Sequence, residues 1–129
     1  MKMTKKEVVS YLALGILFFI IASCSPTNNT ASTKSKLDGF AECLTNNGVK
    51  MYGAYWCPHC SSQKQIFGDS WKYVNYIECS LPNRAGQTQI CSDAKIEAYP
   101  TWEFQNGKRI EGELSFEQIS QNSACELEG

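Results

Sequence analysis

Val49 to Trp56 reads Val-Lys-Met-Tyr-Gly-Ala-Tyr-Trp, a β-rich octet that runs without a break into Cys57-Pro58-His59-Cys60. Pro58 has no backbone N–H to donate, which suits the first turn of a helix. Ser61 to Phe67 supplies the helix behind it. The order strand, cysteine pair, helix limits the chain more than anything else in it. A lone C-x-x-C is also compatible with a structural disulfide or half of a zinc site. Structural zinc usually takes two such pairs and no second C-x-x-C exists, so no metal is expected and His59 is not expected to hold one.

The flanking segments predict the rest of one domain. Leu37, Phe40, Ala41 and Leu44 recur at helical spacing and stop at Asn46-Asn47-Gly48. After the cysteine helix, Gly68-Asp69 is a break, Tyr73 to Glu78 a second strand, Leu81 to Gly86 a loop and Gln87 to Lys95 a modest helix. Thr101 to Phe104, the turn Gln105-Asn106-Gly107-Lys108 and Arg109 to Gly112 carry a hairpin signature. Ser115 caps a last helix running to Ser123. This succession predicts an α/β fold: a four-stranded mixed sheet flanked by helices on both faces, its first two strands joined by a right-handed crossover.

The N-terminus has a different character. Lys2, Lys5 and Lys6 precede an apolar run from Val8 to Ala22, the layout of a secretory signal. The run closes on Ile21-Ala22-Ser23-Cys24, which resembles the bacterial lipoprotein cleavage box and makes Cys24 the expected lipidation site. The alternative is an uncleaved signal anchor with an incidental cysteine, and both readings put the domain outside the cytoplasm on a membrane. Residues 25–36 are Ser, Thr, Asn, Pro and Lys with Ala31 and little else that is apolar, too poor in hydrophobic surface to fold. The expected organisation is a signal or anchor over 1–23, a flexible tether over 24–36 and a folded domain over 37–129.

Charge and cysteine content fit that location. Removing residues 1–23 takes away Lys2, Lys5, Lys6 and Glu7 and leaves nine basic against twelve acidic residues, so no basic patch for nucleic acid is expected. Seven cysteines in 129 residues is a high density, and persistent disulfides belong to oxidising compartments. Beyond Cys24, Cys57 and Cys60, the cysteines at 43, 79, 91 and 125 allow three pairings.

A strand leading into Trp56-Cys57-Pro58-His59-Cys60 and a helix, with Tyr99-Pro100-Thr101 about forty residues later before a hairpin, resembles the thioredoxin superfamily from Leu37 to about Cys125. Within it, Met51-Tyr-Gly-Ala-Tyr-Trp-Cys-Pro-His-Cys60 and Tyr99-Pro-Thr-Trp-Glu103 are most similar to the thioredoxin-like domain fused to bacterial vitamin K epoxide reductase homologues. The resemblance implies a thioredoxin-like fold and a thiol-disulfide oxidoreductase with no cofactor beyond its redox-active disulfide. Cys57 is then the attacking thiol, Cys60 the resolving thiol and Pro100 a cis-proline facing them, while Pro58-His59 is the dipeptide that DsbA-type oxidases carry. It also implies a structural Cys79–Cys91 pair, which leaves Cys43 with Cys125; the rival is that one pair shuttles electrons to a membrane partner. One departure stands out: thioredoxins carry a buried carboxylate six residues before the first cysteine, and here that position is Met51.

The residue types suit this chemistry. A cysteine at a helix N-terminus faces free backbone N–H groups and the positive end of the helix dipole, which favours its thiolate, and His59 in the same turn adds to that. A cis Pro100 leaves a backbone edge open where a client pairs as an added strand. Trp56 and Tyr99 are expected at the substrate rim, whereas Tyr55 and Trp102, on strands, are expected in the core. The leading expectation is an oxidase or isomerase of exported cysteine-containing proteins, reoxidised by a membrane quinone-linked reductase of the vitamin K epoxide reductase type. A reductase running the other way, and a non-catalytic binding lipoprotein that keeps its cysteines only as staples, are the alternatives.

Overall fold

In the computed structural model the described residues are 36–127; the signal segment, Cys24 and all but the last residue of the tether lie outside them. Helix α1 (Lys36–Asn46) buries Phe40, Ala41 and Leu44 on one stripe, and Gly48, at φ 73°, takes the chain out of it into β1 (Lys50–Gly53). Helix α2 (Pro58–Phe67) follows, continued by a 3-10 stretch over Gly68–Tyr73. Then come β2 (Tyr76–Glu78), a 3-10 turn at Pro82–Arg84, α3 (Gln89–Asp93), β3 (Thr101–Glu103), β4 (Arg109–Glu111) and α4 (Phe116–Ser123).

The four strands form one mixed sheet in the order β2-β1-β3-β4. Strand β1 pairs in parallel with β2, Met51 opposite Tyr76, and antiparallel with β3, Met51 opposite Trp102. The α/β architecture and the mixed four-stranded sheet agree with the sequence, and the arrangement is thioredoxin-like. Because β1 is central, its successive side chains enter cores on opposite faces. Met51 packs with Phe40, Phe67, Trp102 and Ile119, while Tyr52 packs with Cys79, Cys91 and Ile96. Phe67 anchors the larger core through edge contacts with Trp71 and Phe116 at 5.6 and 5.0 Å.

Several boundaries differ from the sequence reading. The second strand starts at Tyr76 rather than Tyr73, because the 3-10 stretch carries the end of α2 as far as Tyr73. The helix expected over Gln87–Lys95 contracts to Gln89–Asp93, since Gln87 is bridged to Ser80 and Thr88 is the N-cap. Trp102 is fully buried, but Tyr55 is 54% exposed and on no strand. The chain turns at Ala54, whose carbonyl accepts from Cys57 N at 3.0 Å, so Tyr55 sits on the turn instead of in the sheet. Ser115 caps α4 through a full capping box with Gln118.

Polar groups and disulfides close the fold. Glu103 on β3 takes Lys50 Nζ of β1 at 3.1 Å and Arg109 of β4 at 2.5 Å, so one carboxylate ties three strands. Burial works against ionising Glu103, yet the hydrogen bonds from Arg109 and Lys50 more than reverse it and hold the carboxyl below the usual carboxylate range. Cys43 of α1 is bonded to Cys125 just past α4, and Cys79 after β2 to Cys91 in α3.

A carboxyl harder to protonate in the folded than in the unfolded chain contributes its full stability above the unfolded pKa of about 4.3, and loses it as pH falls through the lower folded value. Glu103→Gln is therefore expected to destabilise the protein by about 1 kcal/mol at neutral pH. The gap to wild type should close below about pH 4, as urea unfolding at both pH values will show. The disulfides are expected to rank by the loop each closes, with sequence separations of 82 and 12 residues. Loss of chain entropy predicts a cost of about 4.5 kcal/mol for replacing Cys43 and Cys125 by alanine and about 3 kcal/mol for Cys79 and Cys91, read from denaturant midpoints.

Candidate active site

The two sulfurs of the C-x-x-C motif lie where β1 hands over to α2. Cys57 is the N-cap of α2, with φ −80° and ψ 120°, and Pro58 occupies the first helical position. A capping residue has non-helical backbone and sits against the free N–H groups of the first turn, so the fold places this cysteine at the positive end of a ten-residue helix. Cys57 and Cys60 are both free thiols. They differ in depth, 6% against 1% exposed, with Trp56, Pro58 and His59 exposed around the shallower one.

The Tyr99–Pro100 peptide is cis, and Cys57 Sγ donates to the Tyr99 carbonyl at 3.6 Å. Residues 42 positions apart thus meet at one sulfur. Beside them Trp56, Ser80, Arg84, Gly86, Gln87 and Tyr99 line a shallow pocket of about 130 Å³. Trp56 Nε1 donates to Ser80 Oγ at 2.8 Å, and Gln87 Nε2 donates to Tyr99 Oη at 2.8 Å. The Arg84 guanidinium rests 5.3 Å from the centre of the Trp56 ring. The loop supplying Ser80, Arg84, Gly86 and Gln87 is the one closed by Cys79–Cys91, so this disulfide sits behind the pocket and ties the segment that lines it. Cys43–Cys125 lies in another part of the fold, and Cys24 is outside the described residues.

His59 takes a place that the sequence did not predict. Its Nδ1 lies 2.6 Å from Glu113 Oε1, a contact that ties the ring to that side chain. The ring is engaged by a carboxylate after β4 and not by either sulfur. Gln63, one turn beyond Cys60, was also missed. Fully buried, it donates through Nε2 to the Leu114 carbonyl at 3.0 Å and accepts from Leu114 N at 2.7 Å and from Trp102 Nε1 at 3.3 Å. This amide locks α2 to the segment after β4, and each of its bonds is shielded from water.

Cys60 is the group most altered by its surroundings. Burial, reinforced by its hydrogen bond and charge interaction with Cys57, pushes its thiol up to about 12 against the lowering effects of the Ala54 backbone and Lys64. No carboxylate relieves this from β1, because Met51 is fully buried there. What stands beside the sulfur is the α-carbon of Gly53. A Cβ at that position would fall 2.9 Å from Cys60 Sγ and 2.8 Å from Tyr76 Cε2. The glycine that looks out of place in a β-rich octet is what lets the thiol approach the strand.

No family model matches the chain. Over 106 residues, 79% of its length, it is 36% identical to the thiol-disulfide oxidoreductase LTO1 of Arabidopsis thaliana. The matched stretch is 28% of that relative, so the chain spans under a third of the length of the curated protein it resembles.

Gly53→Ala tests the packing around the sulfur. A Cβ below 3 Å from two neighbours forces them apart, and overfilling of this kind costs about 1–3 kcal/mol. The variant is expected to fold, to melt at lower temperature and to close the Cys57–Cys60 disulfide at least about ten-fold more slowly, measured by thiol quenching after mixing with oxidised glutathione.

Proposed function

From its thioredoxin-like fold and its homology to a thiol-disulfide oxidoreductase, we propose that the chain exchanges disulfides through Cys57 and Cys60, acting as an oxidase or isomerase on cysteines of exported proteins. The observation that carries this reading is the free Cys57 thiol at the N-terminus of α2, facing the carbonyl that precedes cis-Pro100. A helix terminus stabilises a thiolate as nucleophile and as leaving group, and the exposed Trp56 with Tyr99 gives a client an apolar surface beside it.

In the oxidising direction a client thiolate attacks Cys57 Sγ, the Cys57–Cys60 bond breaks and Cys60 leaves with the electron pair and takes up a proton. A second client thiolate then attacks the client sulfur and expels Cys57 as thiolate. The client loses two electrons and two protons, and the protein is left as the dithiol. Reoxidation needs a disulfide or quinone-linked acceptor. The resemblance of residues 51–60 and 99–103 to domains fused to vitamin K epoxide reductase homologues supports a membrane reductase of that type in this role. The basic n-region, apolar run and Cys24 support an envelope location with the domain tethered outside the cytoplasm, and two further disulfides fit an oxidising compartment.

Wild-type protein is expected to catalyse reduction of insulin disulfides by dithiothreitol and Cys57→Ser to lose that catalysis; equal rates would remove Cys57 from the reaction. Equilibrated with glutathione buffers, the Cys57–Cys60 couple is expected nearer about −120 mV than −270 mV. A midpoint at or below about −270 mV would reverse the direction of electron flow and make the protein a reductase.

A further inference from the structure

Every cycle of disulfide exchange requires Cys60 to give up or regain a proton, and this thiol is buried. The residue six places before Cys57, Met51, offers nothing that titrates. The adjoining strand does. In the parallel pairing of β1 with β2, Tyr76 stands opposite Met51 and Glu78 opposite Gly53, so both project on the face where Cys60 packs. The missing side chain of Gly53 leaves one point on that face 2.9 Å from Cys60 Sγ and 3.3 Å from Tyr76 Oη. The sulfur and the phenol oxygen thus flank that glycine, each within 3.3 Å of the same point.

Tyr76 Oη donates to Glu78 Oε2 at 2.7 Å, which leaves the oxygen's lone pairs free to accept from another donor. Glu78 is fixed in turn: its Oε1 accepts from Tyr55 N at 3.1 Å and Ser80 N at 2.9 Å. These are the turn before Cys57 and the residue after Cys79. Lys64, four residues after Cys60 on the same helix face, carries its ammonium 3.9 Å from the centre of the Tyr76 ring. The ionisable groups around Cys60 are thus Cys57 and Lys64 from its own helix and Tyr76 with Glu78 from β2; β1 contributes Gly53, Ala54 and the thioether of Met51. Burial, then the Glu78 hydrogen bond, raises the Tyr76 hydroxyl well above its ordinary value, so the phenol stays protonated and can pass a proton but not store one.

We propose that Tyr76 and Glu78 are the proton relay of Cys60, standing in from β2 for an acceptor that β1 lacks. The assignment rests on the redox reading of Cys57 and Cys60. When Cys60 attacks the mixed disulfide on Cys57, the Cys60–Cys57 bond forms and the other sulfur leaves as thiolate. The Cys60 proton moves to Tyr76 Oη while Tyr76 gives its own to Glu78 Oε2. The phenol ends unchanged, and the half-buried Glu78 releases the proton to water. When Cys60 is itself the leaving group, the same path returns the proton. Lys64 offsets the charge on the Cys60 thiolate meanwhile.

The test uses the full chain with Cys57 and Cys60 reduced, mixed in a stopped-flow instrument with one equivalent of 5,5′-dithiobis(2-nitrobenzoate). The first release of nitrothiobenzoate reports attack by Cys57, and the second reports displacement by Cys60. In Glu78→Gln and Tyr76→Phe the first phase is expected within about two-fold of wild type. The second is expected to slow by at least about ten-fold at pH 7, the lower range for loss of a general base. Its rate should then climb about ten-fold per pH unit toward about pH 9, where the deficit narrows, while wild type stays flatter. The double variant should be no slower than either single one. A second phase within two-fold of wild type in both variants, or one slowed equally at every pH, overturns the relay; the latter pattern belongs to a displaced sulfur. If wild type itself shows no first phase, Cys57 is not a nucleophile and the proposed function falls together with the relay.

Discussion

Strand β1 is covered on both faces, and its exit from the sheet governs everything around the sulfurs. With Met51 and Tyr52 committed to opposite cores, the strand has no freedom to slide, since a one-residue slip would exchange their environments. The turn at Ala54 then fixes where α2 begins, and α2 begins with Cys57 as its cap. Gln63 completes the constraint from the other side by binding α2 to Leu114 and Trp102 through a shielded amide. A sulfur held by a strand terminus, a helix start and a buried amide has little room to move. Disulfide exchange needs that, because three sulfur atoms must align.

Depth separates the roles of the two cysteines. Cys57 lies at the rim among exposed Trp56, Pro58 and His59, while Cys60 lies one turn inward with almost no contact with water. Desolvation penalises a thiolate at the inner position, so the inner sulfur is held as a protonated thiol. The pairing of Tyr76 with Glu78 beside it, and of Lys64 with the Tyr76 ring, places polar groups where the sheet would otherwise be apolar. Partnered polar groups at such a position are affordable, whereas an isolated one would not be.

The pocket beside Cys57 depends on a loop that would be loose without its staple. Asn83 and Arg84 both have positive φ, an unfavourable conformation for residues with side chains. The Ser80–Gln87 bridge and the Cys79–Cys91 bond hold the ends of this segment. Its tip then delivers Arg84 to the face of Trp56. The pocket loop and the turn before Cys57 are thereby one unit, connected also through Glu78, which binds Tyr55 N and Ser80 N with the same oxygen.

The element order, the position of the cysteine pair at a strand-to-helix junction and the capping of α4 by Ser115 follow from local chemistry, and the sequence alone determines them. Helix caps, glycine turns and hydrophobic periodicity act within a few residues, so they can be read from neighbours in the chain. The resemblance around residues 51–60 and 99–103 extended that reading to the meeting of Cys57 with Tyr99-Pro100. Strand limits were less visible, because whether Tyr73 or Tyr55 joins the sheet depends on the 3-10 continuation of α2 and the turn at Ala54. Only tertiary structure decided that His59 pairs with Glu113, that Gln63 locks the helix, and that Cys60 and Tyr76 both crowd the missing side chain of Gly53. Each of these joins residues more than twenty positions apart, or depends on parallel register between β1 and β2. Register is a property of two strands packed on a common core, and no single stretch of sequence contains it.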